Sequence, residues 1–148
     1  MKKRQFFKLI PAVHLFLVKD DKVLLLRRFN TGYEDGNYSV PAGHVDGGEE
    51  ASKAMTREAA EETGIKIKKE ALDLVHVMHR RKKDEGEERI DFFFKTEIWE
   101  GKIKICEPNK CDQLKWFKID LLPNNVIPYV KHAITCMQKG TRYSEFGW

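Results

Sequence analysis

Glu58, Glu61 and Glu62 crowd into TREAAEETG, residues 56–64, a stretch that reads as the last turns of a short helix ended by Gly64. A helix C-terminus carries partial negative charge, and like charges three or four residues apart repel by a few tenths of a kcal/mol. At about 100° per residue, with Glu58 at zero, Glu61 and Glu62 fall at about −60° and +40°. Ala51, Ala54 and Met55 lie within about 60° of the same direction, so the carboxylates continue the apolar face. Ser52, Lys53, Thr56, Arg57, Ala60 and Thr63 take the side expected to meet water. One basic side chain cannot offset three desolvated carboxylates, whereas a divalent cation can. Oxygen donors with no His or Cys nearby in sequence favour Mg²⁺ or Mn²⁺ over zinc, and Mg²⁺ completes its shell with water and substrate phosphates. Phosphoryl or nucleotidyl chemistry is one reading of the cluster; a structural Ca²⁺ site and a helix end projecting into solvent are the others.

The residues before the acids support the helix boundary. Asp46 followed by Glu49 resembles a capping box, Glu49 and Glu50 stand where the macrodipole favours acids, and Gly47 and Gly48 permit a turn. This predicts a helix from Glu49 or Glu50 to Thr63. Arg57 can reach Glu61 one turn on and Glu49 across the loop, which would orient a carboxylate of the site.

The remaining elements must hold this helix in place. AVHLFLV and VLLLRR, separated by KDDK, read as a hairpin, and FNTGYEDGNYS as a loop. A short run VPAG precedes the helix. Strands are expected around 71–79 and 88–99, then over KIKIC and QLKWFKI. In VIPYVKHAITCMQ, the spacing of Val126, Val130, Ala133, Ile134 and Met137 predicts a second helix, with Pro128 in a first turn that tolerates it. Strands outnumber helices and several are joined by tight turns. The expected fold is therefore α+β, a mixed β-sheet in an α/β/α sandwich, and 148 residues with 41% hydrophobic content suit one domain spanning 1–148.

The basic N-terminal segment contains Pro11 and His14 within its apolar run and no small-residue cleavage site, so it reads as a first strand rather than a signal peptide. No membrane partner is expected, and the compartment expected is the cytoplasm. Cys106, Cys111 and Cys136 are odd in number and lack a metal-site spacing, and read as reduced thiols. In a chain of net charge +4, the charge-dense run HRRKKDEGEER, residues 79–89, is read as a solvated hairpin loop rather than a nucleic-acid patch. A modest basic excess also suits a polyphosphate substrate.

From Gly43 to Ile65 the chain resembles a complete Nudix box: Gly43, five residues, Glu49, seven residues, then Arg57-Glu58-Ala59-x-Glu61-Glu62-x-Gly64-Ile65. The resemblance implies a Nudix-type sandwich and an enzyme that hydrolyses a diphosphate bond in a nucleoside diphosphate linked to another group, using Mg²⁺ or Mn²⁺. It makes Glu58, Glu61, Glu62 and the Ala42 carbonyl metal ligands, with Gly43, Glu49, Arg57 and Gly64 as orienting positions. Glu61 or Glu62 would take the proton from water, with Glu107 and Asp112 as alternative bases on a loop. Arg28 stands where relatives contact phosphate, and Asn124 or Asn125 where they read a base. Residues 80–83 are Arg-Arg-Lys-Lys, without the Pro or Tyr that marks ADP-ribose or diadenosine polyphosphate subfamilies. The remaining resemblance is to MutT-like enzymes that convert a nucleoside triphosphate, normal or oxidised, to a monophosphate and pyrophosphate. The alternatives are an RNA 5′-end pyrophosphohydrolase and a non-catalytic nucleotide-binding Nudix module. The partner in every case is a nucleotide or another diphosphate-containing molecule, and RNA is the less favoured one.

Overall fold

Strand β1 (Ile10–Lys19) is buried almost continuously from Ala12 to Val18, and this explains the architecture. A strand covered on one side alternates apolar and polar residues; one covered on both sides does not. Val13, Leu15 and Leu17 point into one core, and Phe16 and Val18 into another on the opposite face. The computed structural model describes residues 1–148.

β1 turns through Asp20 and Asp21, both at positive φ, into antiparallel β2 (Lys22–Arg28). Two short strands follow, β3 (Tyr38–Ser39) against β2 and β4 (Ala42–His44) against β1. Helix α1 (Ala51–Thr63) comes next, then β5 (Asp73–Lys82) and β6 (Glu87–Thr96), an antiparallel pair. β6 lies parallel to β1, so the sheet is mixed. β7 (Cys111–Lys118) returns to β2, α2 (Pro128–Lys139) follows, and β8 (Tyr143–Phe146) adds to β5 in parallel. The β3-β2-β1-β6-β5-β8 path, with β4 and β7 as side branches, has α1 over one core and α2 over the other. The α+β sandwich expected from the sequence is present. No helix is long and apolar enough to cross a membrane.

Three expectations need correction. KIKIC is not a strand: the backbone N–H groups of Lys104 and Cys106 bond to the carbonyls of Thr63 and Glu62 at 3.0 and 3.2 Å. The segment thus satisfies helix-end acceptors that would otherwise lack partners. α1 starts at Ala51 rather than Glu49 or Glu50, with Glu50 as a cap residue that makes no side-chain cap bond. Glu49 does accept from the Asp46 N–H at 2.8 Å, but within the preceding turn. The basic run 79–89 is mostly strand, with only residues 83–86 outside β5 and β6, and its Arg80 is buried.

Candidate active site

Helix α1 ends at Gly64, whose φ of 75° is left-handed and whose N–H bonds to the Ala60 carbonyl at 3.0 Å. Ala54, Met55, Ala59 and Thr63 are its buried residues, so Thr63 faces the core and not water. On the helical projection those residues centre nearer Glu62 than Glu58. Glu61, at the rim, is exposed, and Glu58 and Glu62 are partly enclosed. The acidic face is real, but its deepest member is Glu62.

Arg57 ties the near side of the cluster. It donates to Glu49 at 2.7 and 3.2 Å, to Glu58 at 2.9 Å and to the His44 carbonyl at 3.1 Å, and Glu61 lies 3.5 Å away. Arg57 and the Asp46 N–H hold the Glu49 carboxyl below its usual range. Gly43 of β4 packs directly on Glu58: a β-carbon there would overlap the carboxyl and come within 2.6 Å of Cγ. The Gly43 position therefore fixes where Glu58 can sit.

Glu62 has no cation. Its carboxyl accepts from the Ala42 N–H at 2.9 Å, which favours the charged form. Burial opposes this more strongly, and with the charges of Glu58, Glu107 and Glu61 it pushes the Glu62 pKa to about 9. Burial also raises Glu58, against the pull of Arg57 and with a further push from Glu61 and Glu107. Glu107 comes close because the 104–106 segment docks on the helix end just before it. Together with Arg28 and Cys111, Glu62 and Glu107 line a cavity of about 410 Å³.

Other sequence candidates fall elsewhere. Asp112 sits at the irregularity where β7 meets Arg28, and Arg27 holds it through two bonds of 2.8 and 3.0 Å. It does not line the cavity beside Glu62. The Asn125 side-chain amide donates Nδ2–H to the Gly36 carbonyl at 2.9 Å, and the Asn125 backbone carbonyl accepts from the Tyr38 backbone N–H. Asn124 lines a groove beside α2 instead. Both asparagines lie in the turn before α2. Arg28 lines the cavity, but its guanidinium bonds Tyr33 and Thr31, bracing the loop after β2.

The sequence reading missed a second group. Asp91, fully buried on β6, accepts from His14 at 3.0 Å and from Arg80 at 2.7 and 3.1 Å. Burial alone would raise its carboxyl; His14 and Arg80 outweigh it and hold the pKa well below the usual range. An apolar strand interrupted by His14, and an Asp amid RIDFFF, were the available signals.

The NUDIX domain family model matches residues 8–135. The chain belongs to the Nudix hydrolase family. The RNA pyrophosphohydrolase of Bartonella clarridgeiae is 34% identical over 125 residues, covering 72% of this chain and 71% of that protein. The ADP-ribose pyrophosphatase of Methanocaldococcus jannaschii is 30% identical over 137 residues, covering 88% and 78%. The crystal structure of a MutT NUDIX hydrolase from Burkholderia pseudomallei superposes with a TM-score of 0.80 at 26% identity, over 87% of this chain and 98% of that one. This Nudix hydrolase is thus MutT-like in fold, and its acidic helix lies inside the matched region.

Proposed function

We propose that the protein, acting as one catalytic domain over residues 1–148, hydrolyses a diphosphate bond in a nucleoside diphosphate-X substrate with Mg²⁺, or Mn²⁺ in its place. The substrate favoured is a nucleoside triphosphate, normal or oxidised at its base, giving a monophosphate and pyrophosphate. The cytoplasm is the compartment that suits this chemistry. The observation carrying the reading is the charge imbalance: Glu58, Glu61, Glu62 and Glu107 face one another with Arg57 as the cation bound among them. An all-oxygen donor set with excess negative charge suits a hard divalent ion, as does the general use of divalent metals across the family. The side chains do not converge into a ready cage of three, in keeping with an ion that takes further ligands from water and phosphate.

Glu58, Glu61, Glu62 and the Ala42 carbonyl would hold the cation. A divalent ion held there would supply polarisation of the diphosphate, neutralisation of charge on the departing phosphate and a more acidic water. The protein's own residues do the rest. Arg57, locked by Glu49, fixes the Glu58 carboxylate, and Gly43 leaves space for it. Gly64 ends the helix so that the 104–106 segment can deliver Glu107. Glu61, or Glu62 once ionised beside the cation, would accept the proton of the attacking water, with Glu107, which lines the same cavity as Glu62, as the alternative base.

A release screen across nucleoside triphosphates, dinucleoside polyphosphates, nucleotide sugars and a 5′-triphosphorylated RNA tests the reading. Metal-dependent turnover of triphosphates with pyrophosphate as product is expected. Binding without release from any of them would favour a non-catalytic module. Release from the RNA alone would favour RNA 5′-end hydrolysis.

A further inference from the structure

A second cavity, about 430 Å³, lies on the other side of β4. Ala42 and Gly43 form the wall between it and the glutamates, because Gly43 lines this chamber while its α-carbon abuts Glu58. Arg28 lines both cavities. A substrate bridging them would have its diphosphate beside the acids and the remainder in the chamber.

The chamber's lining is cationic. Arg28, Arg80, Lys82 and Arg89 face it, and Glu85 is its one acid. The carboxylates that anchor two of these cations, Asp91 for Arg80 and Glu87 for Arg89, lie outside the lining. Arg80 is 5% exposed and oriented by Asp91 through Nε and Nη2, which leaves Nη1 without a protein partner. Such a preorganised, unused donor suits an anion.

The aromatic residues point the same way. A nucleobase subsite would offer a bare ring, but Arg80 sits 3.7 Å over Tyr129, and Lys82 and Arg28 lie 4.5 and 5.2 Å from the Tyr33 ring centre. The rings hold cations in place by their quadrupoles.

We propose that this chamber binds a phosphate of the substrate that lies outside the phosphoanhydride chain being hydrolysed, making the substrate a molecule phosphorylated at a second position. The inference rests on the reading that the acidic face hydrolyses a diphosphate. The extra phosphate can belong to a nucleotide, at its 3′ position, or to a compact polyphosphate without a nucleoside.

Calorimetric titrations in EDTA with adenosine 5′-monophosphate, adenosine 3′,5′-bisphosphate and myo-inositol hexakisphosphate decide the matter. An added phosphate is expected to tighten binding by about tenfold, the scale of a charge-assisted contact. Lys82→Ala and Arg89→Gln, which spare the buried Arg80–Asp91 pair, should collapse that ratio, and the solvent-facing Lys53→Ala should not. Tightest binding of the bisphosphate assigns the nucleotide source, and tightest binding of the hexakisphosphate the other. Equal affinities for all three ligands, or an equal loss in Lys53→Ala, would overturn the proposal. Wild-type protein that hydrolyses triphosphates in Mg²⁺ without this preference sinks the chamber alone. The preference without any turnover sinks the hydrolysis reading alone.

Discussion

Glu62→Gln should make the metal-free protein more stable while removing its activity. The Glu62 carboxyl has an ordinary pKa of 4.5 and is pushed to about 9 in the fold by burial and neighbouring acids. With a raised folded pKa, stability is intact below pH 4.5 and declines with increasing pH until the folded group itself ionises near 9. At about 1.4 kcal/mol per pH unit, the wild type gives up about 3 kcal/mol by pH 7 relative to a neutral side chain. Glutamine keeps an oxygen for the Ala42 N–H and has no charge to lose. A gain of about 3 kcal/mol corresponds to about 6–12 °C in Tm for a domain of this size. Thermal denaturation in EDTA from pH 5 to 8 reads this directly: the two proteins should converge at pH 5 and separate as pH rises. Added Mg²⁺ should raise the Tm of the wild type and narrow the gap, because a ligand of the folded state stabilises by mass action. A variant equal to or less stable than wild type at pH 8 in EDTA would mean instead that Glu62 is ionised and solvated in the fold.

Two further substitutions probe the supports of the site. Gly43→Ala should leave the protein folded by circular dichroism but lower kcat/KM by about a hundredfold, the scale of a small misplacement of a reacting group; unchanged kinetics would show that Glu58 has no required position. Asp91→Asn strands Arg80 and should cost about 3–5 kcal/mol at pH 7 in urea denaturation. Because the Asp91 carboxyl is held low, its contribution is present above about pH 4 and lost as pH falls further. The variant should therefore show a flatter acid limb, and an acid limb parallel to the wild type's would dismiss the pair as a source of pH dependence.

The acidic face was legible in the sequence because helix periodicity is local: the positions of Glu58, Glu61 and Glu62 relative to Ala54 and Met55 need only the residue spacing. Which of the three lies deepest was not, since that depends on where β4 and the 104–106 segment pack. KIKIC alternates like a strand, and only the unsatisfied carbonyls of Glu62 and Thr63 explain why its backbone serves the helix end instead. β8 escaped notice because Tyr143–Phe146 is short and half exposed, and becomes a strand through the free edge of β5. Arg80 was hidden for a different reason. In a run of like charges every member looks solvated, and the single buried one is revealed by Asp91, eleven residues on and across the hairpin. The Nudix box thus marks the acids, while the cationic chamber behind it is assembled from positions far apart in the chain.

If the α1 acids bind a divalent ion that serves diphosphate cleavage, metal uptake and turnover must depend on the same carboxylates. Mn²⁺ titration followed by electron paramagnetic resonance, with triphosphate hydrolysis measured on the same samples of wild type and Glu58→Gln, tests this dependence most directly. Wild-type protein should take up Mn²⁺ and hydrolyse in proportion to it, and Glu58→Gln should lose both together. Hydrolysis that persists in excess EDTA, or Mn²⁺ uptake unaffected by Glu58→Gln, would contradict it.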